Sequence, residues 1–352
     1  MRHWTDSRQS GQWLKEQGVV LGIGDDAAVV EAPRGESGAL QWVLAVDTMV
    51  ETVHFNAATM AEADVGWKAL AANVSDIAAM GGVPRHALVS VSVPRAWEPA
   101  RIRRLYDGLY ACAERYGVAV VGGDTTSSPA QLVVAVTVVG TVTAGKAVRR
   151  SGAMPGDAVF VTGPIGMAAA GLHFLLAAAG GGEQCVPLAA AEAAGTAALV
   201  QAHRRPAPSV RAARMLAARG TVTSLNDVSD GLASEAWEIA ESSGVKLALR
   251  ESQLPLSGSM AAYARRSGIA PLEWMLYGGE DYVLLGTIAA KDAAEAKAAL
   301  AAEGLPMYMI GTVEEGNAGV ELIQEGPHSG WSQAAAKERR VSLAKRGYNH
   351  FE

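Results

Sequence analysis

In the first half of this chain, short β-branched runs alternate with longer segments of helical period, and that alternation limits the fold more than any other feature. Residues 40–46 (LQWVLAV), 88–93 (LVSVSV), 118–121 and 132–139 (LVVAVTVV) read as strands bounded by turn residues. Between them, residues 61–80 and Pro99–Tyr116 carry apolar side chains at helical spacing. Pro99 stands at a first helical turn, where its missing N–H is harmless, and Gly117 follows the end. Near residue 150 the texture changes to a Gly/Pro-punctuated segment, RRSGAMPGD, before a new strand at 158–162. Alanine-rich helices are expected at 167–179, 192–203 and 209–219, with another beginning near Ser229. Strands are expected at 245–249, 282–287 and 308–313, and a helix at 291–303. The pattern predicts two α/β (α+β) domains, 1–148 and 149–352.

Hydrophobic residues make up 49% of the 352 and charged residues 19%, enough apolar material for packed cores and too much for a disordered chain. A formal net charge of −6 argues against a broad nucleic-acid surface, which needs a basic field. Cys112 and Cys185 form neither a zinc spacing nor a disulfide framework. The polar first residues lack an apolar signal core, and no apolar run approaches the roughly 20 residues of a membrane helix. The expectation is a cytoplasmic protein that contacts neither membrane nor nucleic acid.

Two nucleotide-binding patterns fail on context. Gly22-Ile-Gly-Asp-Asp-Ala27 fits GxGxxA, but Pro33 and Gly35 follow too soon for the helix such a loop must open, and Asp25 and Asp26 would face phosphate. Gly140–Lys146 approaches a P-loop, yet alanine stands where the Mg²⁺-binding hydroxyl should be, and the sequence beyond is turn-rich.

The chemistry points instead to aspartates at the ends of apolar runs or beside glycines: Asp25, Asp26, Asp47, Asp76, Asp124, Asp227 and Asp230. One such residue is an ordinary turn former. Seven brought together would repel unless a cation compensated, and oxygen-only ligands select hard ions such as Mg²⁺. Glycines at 81–82 and 122–123 allow close backbone approach to phosphate oxygens. A nucleoside triphosphate bridged by several metal ions suits this set, with Arg150 available for a charge-assisted phosphate contact.

The motif series GIGDDAAVV, VDTMVETVHF, KALAANVSDIAAMGGVP, VVGGDTT, RSGAMPGD, DVSDGL, GGEDY and GYNHF closely resembles that of the thiamine-monophosphate kinase family, in the aminoimidazole ribonucleotide synthetase-like superfamily, and spans nearly the whole chain. The resemblance implies a homodimer whose N-terminal domains join in a barrel-like interface, each carrying an α/β C-terminal domain. It implies transfer of a phosphoryl group from ATP to thiamine monophosphate with several Mg²⁺ ions and no covalent catalytic residue. Carried over by motif, Asp26, Asp47, Asp76, Asp124, Asp227 and Asp230 would hold metal. Tyr106, Gly123, Asp124, Arg150 and Ser229 would contact ATP, and His54, Glu280 and Tyr348 the acceptor. Two departures stand out: Ala45 and Val46 replace hydroxyl residues common before the Asp47 motif, and an aromatic expected before GYNHF is absent, leaving ring stacking to Tyr348 or Trp331. The competing readings are an ATP-using ring-closing synthetase of the superfamily and a non-catalytic nucleotide-binding protein. The first cysteine, Cys112, lies too far along for a selenophosphate synthetase, and the closing His350-Phe351-Glu352 lacks the cysteine of the hydrogenase maturation protein.

Overall fold

The computed structural model describes residues 12, 19–21, 25–26, 28–31, 39–182, 184–325 and 338–347. The first of two sheets comprises β1 (Val19–Leu21), β2 (Ala28–Glu31), β3 (Leu40–Val50), β4 (Val83–Pro94), β5 (Ala119–Ser128) and β6 (Val133–Thr143). Its strand order is β1-β2-β3-β6-β4-β5, antiparallel except where β4 meets β5. The second comprises β7 (Ala158–Val161), β8 (Val222–Asp227), β9 (Lys246–Arg250), β10 (Leu284–Ile288), β11 (Tyr308–Glu314), β12 (Gly319–Gln324) and β13 (Arg339–Ser342). These run β13-β12-β9-β11-β7-β10-β8, with only β9 and β12 parallel.

Period-two alternation decides how the first sheet is covered. Val43, Val89, Val91, Val134, Val136 and Val138 are buried with Leu70, Val74 and Ile77 of α1 (Glu62–Ala79) and with Leu105 and Leu109 of α2 (Pro99–Tyr116). Among the described residues, no helix covers the opposite face. Val46 pairs with Thr137, which pairs with Leu88, so the three form one row across that face. Val46 is 58% exposed and Leu88 46%.

The second sheet is covered on both sides. Val159, Val161, Leu247 and Leu249 pack with Leu232 and Ile239 of α7 (Leu232–Ser243), Met260 of α8 (Gly258–Ser267) and Trp274 of α9 (Pro271–Tyr277). On the other face, Phe160, Leu225 and Leu284 meet Leu216 of α6 (Val210–Arg219) and Leu300 of α10 (Ala290–Ala302). Ala78 and Ala79 of α1 join this second cluster, so α1 packs against both halves. Two cross-links reinforce it: the Trp67 indole donates to the Pro206 carbonyl at 2.9 Å, and Arg205 pairs with Asp64 at 2.7 Å.

Several sequence expectations shift in instructive ways. The helix expected over 192–203 is split into α4 (Leu188–Ala193) and α5 (Ala197–Arg204) at Gly195, whose φ is 66°; α3 (Met167–Ala179) matches expectation. The strand expected at 118–121 runs on to Ser128, so the glycine pair 122–123 lies within β5 rather than in a turn. A side chain at Gly123 would place its Cβ 1.8 Å from the Val89 carbonyl, so this glycine serves strand packing. Ala28–Glu31 is a strand and Gly140 lies inside β6, which removes the helices that the two rejected nucleotide patterns would need.

The seat of α1 on α2 depends on two helix glycines. A Cβ at Gly66 would lie 1.9 Å from the Leu105 carbonyl oxygen, and one at Gly108 would lie 1.7 Å from that of Ala63. Gly108→Ala is therefore expected to push the helices apart at a cost of about 1–3 kcal/mol or more. Gly117→Ala, where nothing lies within 4 Å and only the left-handed φ of 68° is strained, should cost about 1 kcal/mol. Thermal unfolding of the two variants would check the order, and a less stable Gly117 variant would contradict it.

Candidate active site

Asp26 precedes β2, Asp76 lies in the last turns of α1, and Asp227 closes β8. One carboxylate oxygen from each comes within 4.8 Å of the others. The sequence separates them widely; α1, packed against both sheets, brings them together. Asp47 on β3 and Asp230 just past β8 stand close enough to raise the carboxyl pKa values of their neighbours.

Burial is the first cause of the raised pKa at Asp26, Asp47, Asp76 and Asp227, with mutual repulsion added. Asp76 is pushed well above the usual carboxylate range by burial, then by Asp47, Asp227 and Asp26. Asp26 is also raised well above it by burial, with Arg150 opposing and Asp227 and Asp25 adding. Asp227 reaches about 6: burial and the charges of Asp47 and Asp230 outweigh the Ser75 hydroxyl, which donates to it at 2.6 Å, and the Arg150 charge. Asp47 is crowded by protein but still reached by water, and its rise is smaller than that at Asp76.

Arg150 is the cation bound to this cluster. Its guanidinium donates to Asp26, lies 3.8 Å from Asp25 and 3.6 Å from Glu238, and hydrogen bonds the Asn226 side-chain carbonyl at 3.1 Å. Even so, Asp26 Oδ2 is buried without a partner among the described residues. An orphaned carboxylate oxygen within an all-oxygen donor set suits a hard divalent cation.

Glu235, which the sequence reading did not single out, organises the segment around Asp230. Its carboxylate accepts from Asn226 Nδ2 at 2.5 Å, the Asp230 amide at 3.1 Å and the Ser229 hydroxyl at 3.3 Å. It looks in sequence like an ordinary acid in the first turn of α7. Lys68 and His203 were also missed. Lys68 opens the motif that carries Asp76 but was assigned no role, and His203 precedes two arginines that suggest a solvated surface.

The other expected residues are placed as follows. Glu280 bonds Lys68 at 2.7 Å and His203 at 3.1 Å. His54 follows β3, and its Nδ1 accepts from the Val50 amide at 3.0 Å. Tyr106 lies on α2 against the first core, with its ring 6.3 Å from that of Tyr110. Asp124 pairs with Ser90 on the open face of the first sheet and is exposed, while Asp47 shares the Val136–Val89 row on the covered side. Within one chain Asp124 is therefore apart from the converging carboxylates. Tyr348 and Trp331 lie outside the described residues.

The AIR synthase related protein N-terminal domain matches residues 24–142, and its C-terminal domain matches 154–323. The thiamine-monophosphate kinase of Bacillus subtilis (strain 168) is 40% identical over 96% of this chain and 96% of its own length. The crystal structure of thiamine-monophosphate kinase from Stenotrophomonas maltophilia K279a is 35% identical, covers 88% of this chain and 93% of that one, and superposes with a TM-score of 0.73. AaThiL complexed with AMPPCP and TMP is 33% identical, covers 93% and 94% of the two chains, and has a TM-score of 0.72. With two AIR synthase related domains and kinase relatives along almost its full length, this chain belongs to the thiamine-monophosphate kinase family.

Proposed function

We propose that this chain transfers the γ-phosphoryl group of ATP to thiamine monophosphate, giving thiamine diphosphate by direct in-line displacement. The observation that carries the reading is the convergence of Asp26, Asp76 and Asp227 within 4.8 Å around an orphaned carboxylate oxygen. It occurs in a chain whose relatives bear the kinase's name, one of them complexed with AMPPCP and TMP. We assign dimerisation and most of the metal and ATP contacts to the N-terminal domain, 1–148, with Arg150, Asp227, Ser229 and Asp230 reaching the same site from the α/β domain, 149–352.

The acceptor is a phosphate monoester, largely dianionic near pH 7 because its second pKa is about 6. It needs little help from a base, so no residue is assigned a covalent or proton-abstracting role. The obstacle is repulsion: two unit charges 4 Å apart repel by about 4 kcal/mol at an effective dielectric of about 20. Several Mg²⁺ ions held by Asp26, Asp47, Asp76, Asp227 and Asp230 would neutralise that charge. Arg150 and Ser229 border the cluster and are assigned to ATP; Tyr106 and Gly123 share that assignment from the family motifs. His54 would anchor the acceptor's phosphate and Glu280 its amine-bearing end.

The open face of the first sheet supports a homodimer. Val46, Leu88 and Val121 are each about half exposed there, and a second copy would cover them. Asp124 lies on the same face, so its assignment to metal or ATP goes with that dimer.

ADP release with Mg²⁺ should depend on thiamine monophosphate and fall away with thiamine or other phosphorylated acceptors. Release independent of acceptor would favour a plain nucleotide-binding or ATPase role, and a ring-closing product from another acceptor would favour the synthetase reading. Asp76→Asn should lower turnover by about 100-fold or more while the fold survives.

The raised carboxyls also set a pH dependence. A group whose folded pKa is raised contributes stability at low pH that is lost as pH rises through the folded value, here about 6 for Asp227. Without metal, thermal stability should therefore fall between about pH 4.5 and about pH 7. Mg²⁺ should raise the melting temperature more at about pH 7.5 than at about pH 5, because it displaces protons. Asp227→Asn should flatten both trends. A Mg²⁺ effect that is equal at the two pH values would refute the assignment.

A further inference from the structure

The GGEDY segment carries two adjacent acids with opposite fates. The buried Asp281 carboxylate accepts from the Ala168 amide at 3.0 Å and from the Gly166 amide, closing the first turn of α3. Glu280 points the other way, with φ at 68°, a backbone region that residues other than glycine seldom adopt. That conformation is pinned on both sides: the Glu280 amide donates to the Ser229 carbonyl at 2.7 Å and the Tyr282 amide to the Val228 carbonyl at 2.9 Å. Such strain at a fixed side chain is characteristic of working sites.

The Glu280 carboxylate is used unequally. Lys68 Nζ donates to Oε2 at 2.7 Å, and His203 Nδ1 lies 3.1 Å from the same oxygen. Lys68 is wholly buried and the His203 side chain is 1% exposed, whereas that of Glu280 is 26% exposed. Oε1 has no partner among the described residues. Burial alone would raise the Glu280 carboxyl; the Lys68 charge, then the His203 hydrogen bond, hold it at about 2. Burial, then the Lys68 charge, lowers the His203 pKa, and its Nδ1 lies between Glu280 Oε2 at 3.1 Å and Lys68 Nζ at 3.4 Å.

A lysine buried completely in a helix is costly unless its charge has a task or a partner. Here the ammonium cancels the carboxylate's net charge while leaving one oxygen open. An ionised carboxylate neutralised from behind has little attraction for a bare cation, yet remains a strong, directed acceptor for an N–H donor.

We propose that Lys68 and His203 are positioning residues that fix Glu280 so that Oε1 accepts an N–H from the amine-bearing ring of the acceptor, which makes the preference one for a hydrogen-bond donor rather than for positive charge. This rests on the assignment of Glu280 to the acceptor made above. It adds two residues to that site and changes the chemistry by which the acceptor is selected.

The test is steady-state kinetics of the full-length protein with thiamine monophosphate and with an analogue whose pyrimidine amino group is replaced by oxo. The wild type should prefer the amine. His203→Leu and Lys68→Met should raise KM for thiamine monophosphate by about 10- to 100-fold, leave KM for ATP within about threefold, and erase the preference between the two acceptors. His203→Asn, which restores an amide N–H near the Nδ1 position, should recover most of the affinity and the preference. Should Lys68→Met fail to fold, the two His203 variants decide. Folded variants with unchanged acceptor KM, or with both KM values raised together and the preference intact, would overturn the proposal. A wild type that ignores thiamine monophosphate would sink the kinase assignment itself, and this inference with it, before any variant is compared.

Discussion

Like-charge repulsion among converging carboxylates is the constraint on which the rest of this molecule depends. Asp26, Asp76 and Asp227 approach within 4.8 Å, with Asp47, Asp230 and Glu235 close behind and Arg150 the main counter-charge. No arrangement of packed apolar residues relieves that repulsion. It is met by retained protons, by Arg150 or by a bound cation, so folding and ligand binding are thermodynamically linked. The hydrophobic clusters packed on the two sheets and the strut formed by α1 supply the stability against which this strained centre is held.

Much of this was legible because the motifs were written in residues with few alternative uses. Strand runs such as 132–139 and the proline-to-glycine helix Pro99–Tyr116 have local signatures, and the structure reproduces them closely. The convergence of Asp26, Asp76 and Asp227 could be argued from chemistry before geometry, since carboxylates beside glycines at strand ends suit few tasks other than turns and hard cations.

What escaped the sequence did so for identifiable reasons. β12 and β13 are short strands at one side of the second sheet, and β12 joins through a parallel pairing to β9 that local periodicity does not announce. Gly122 and Gly123 look like a turn because glycine favours turns, yet β5 approaches β4 so closely that only glycine fits at 123. Asp124 looks like a companion of Asp47; strand parity puts it on the other face. Lys68 and His203 were invisible because their role exists only once residues 135 positions apart meet over a third. A lysine in an amphipathic helix is normally a solvent-facing residue, and only its complete burial marks it out.

The shared helix has one more effect. Lys68 and Asp76 are both borne by α1, separated along its axis by roughly 12 Å at 1.5 Å per residue. A helix is stiff over that span, so the anchor behind Glu280 and the acidic centre keep a constant separation whatever the loops around them do. Any molecule engaging both ends is gauged for length by a single rigid rod.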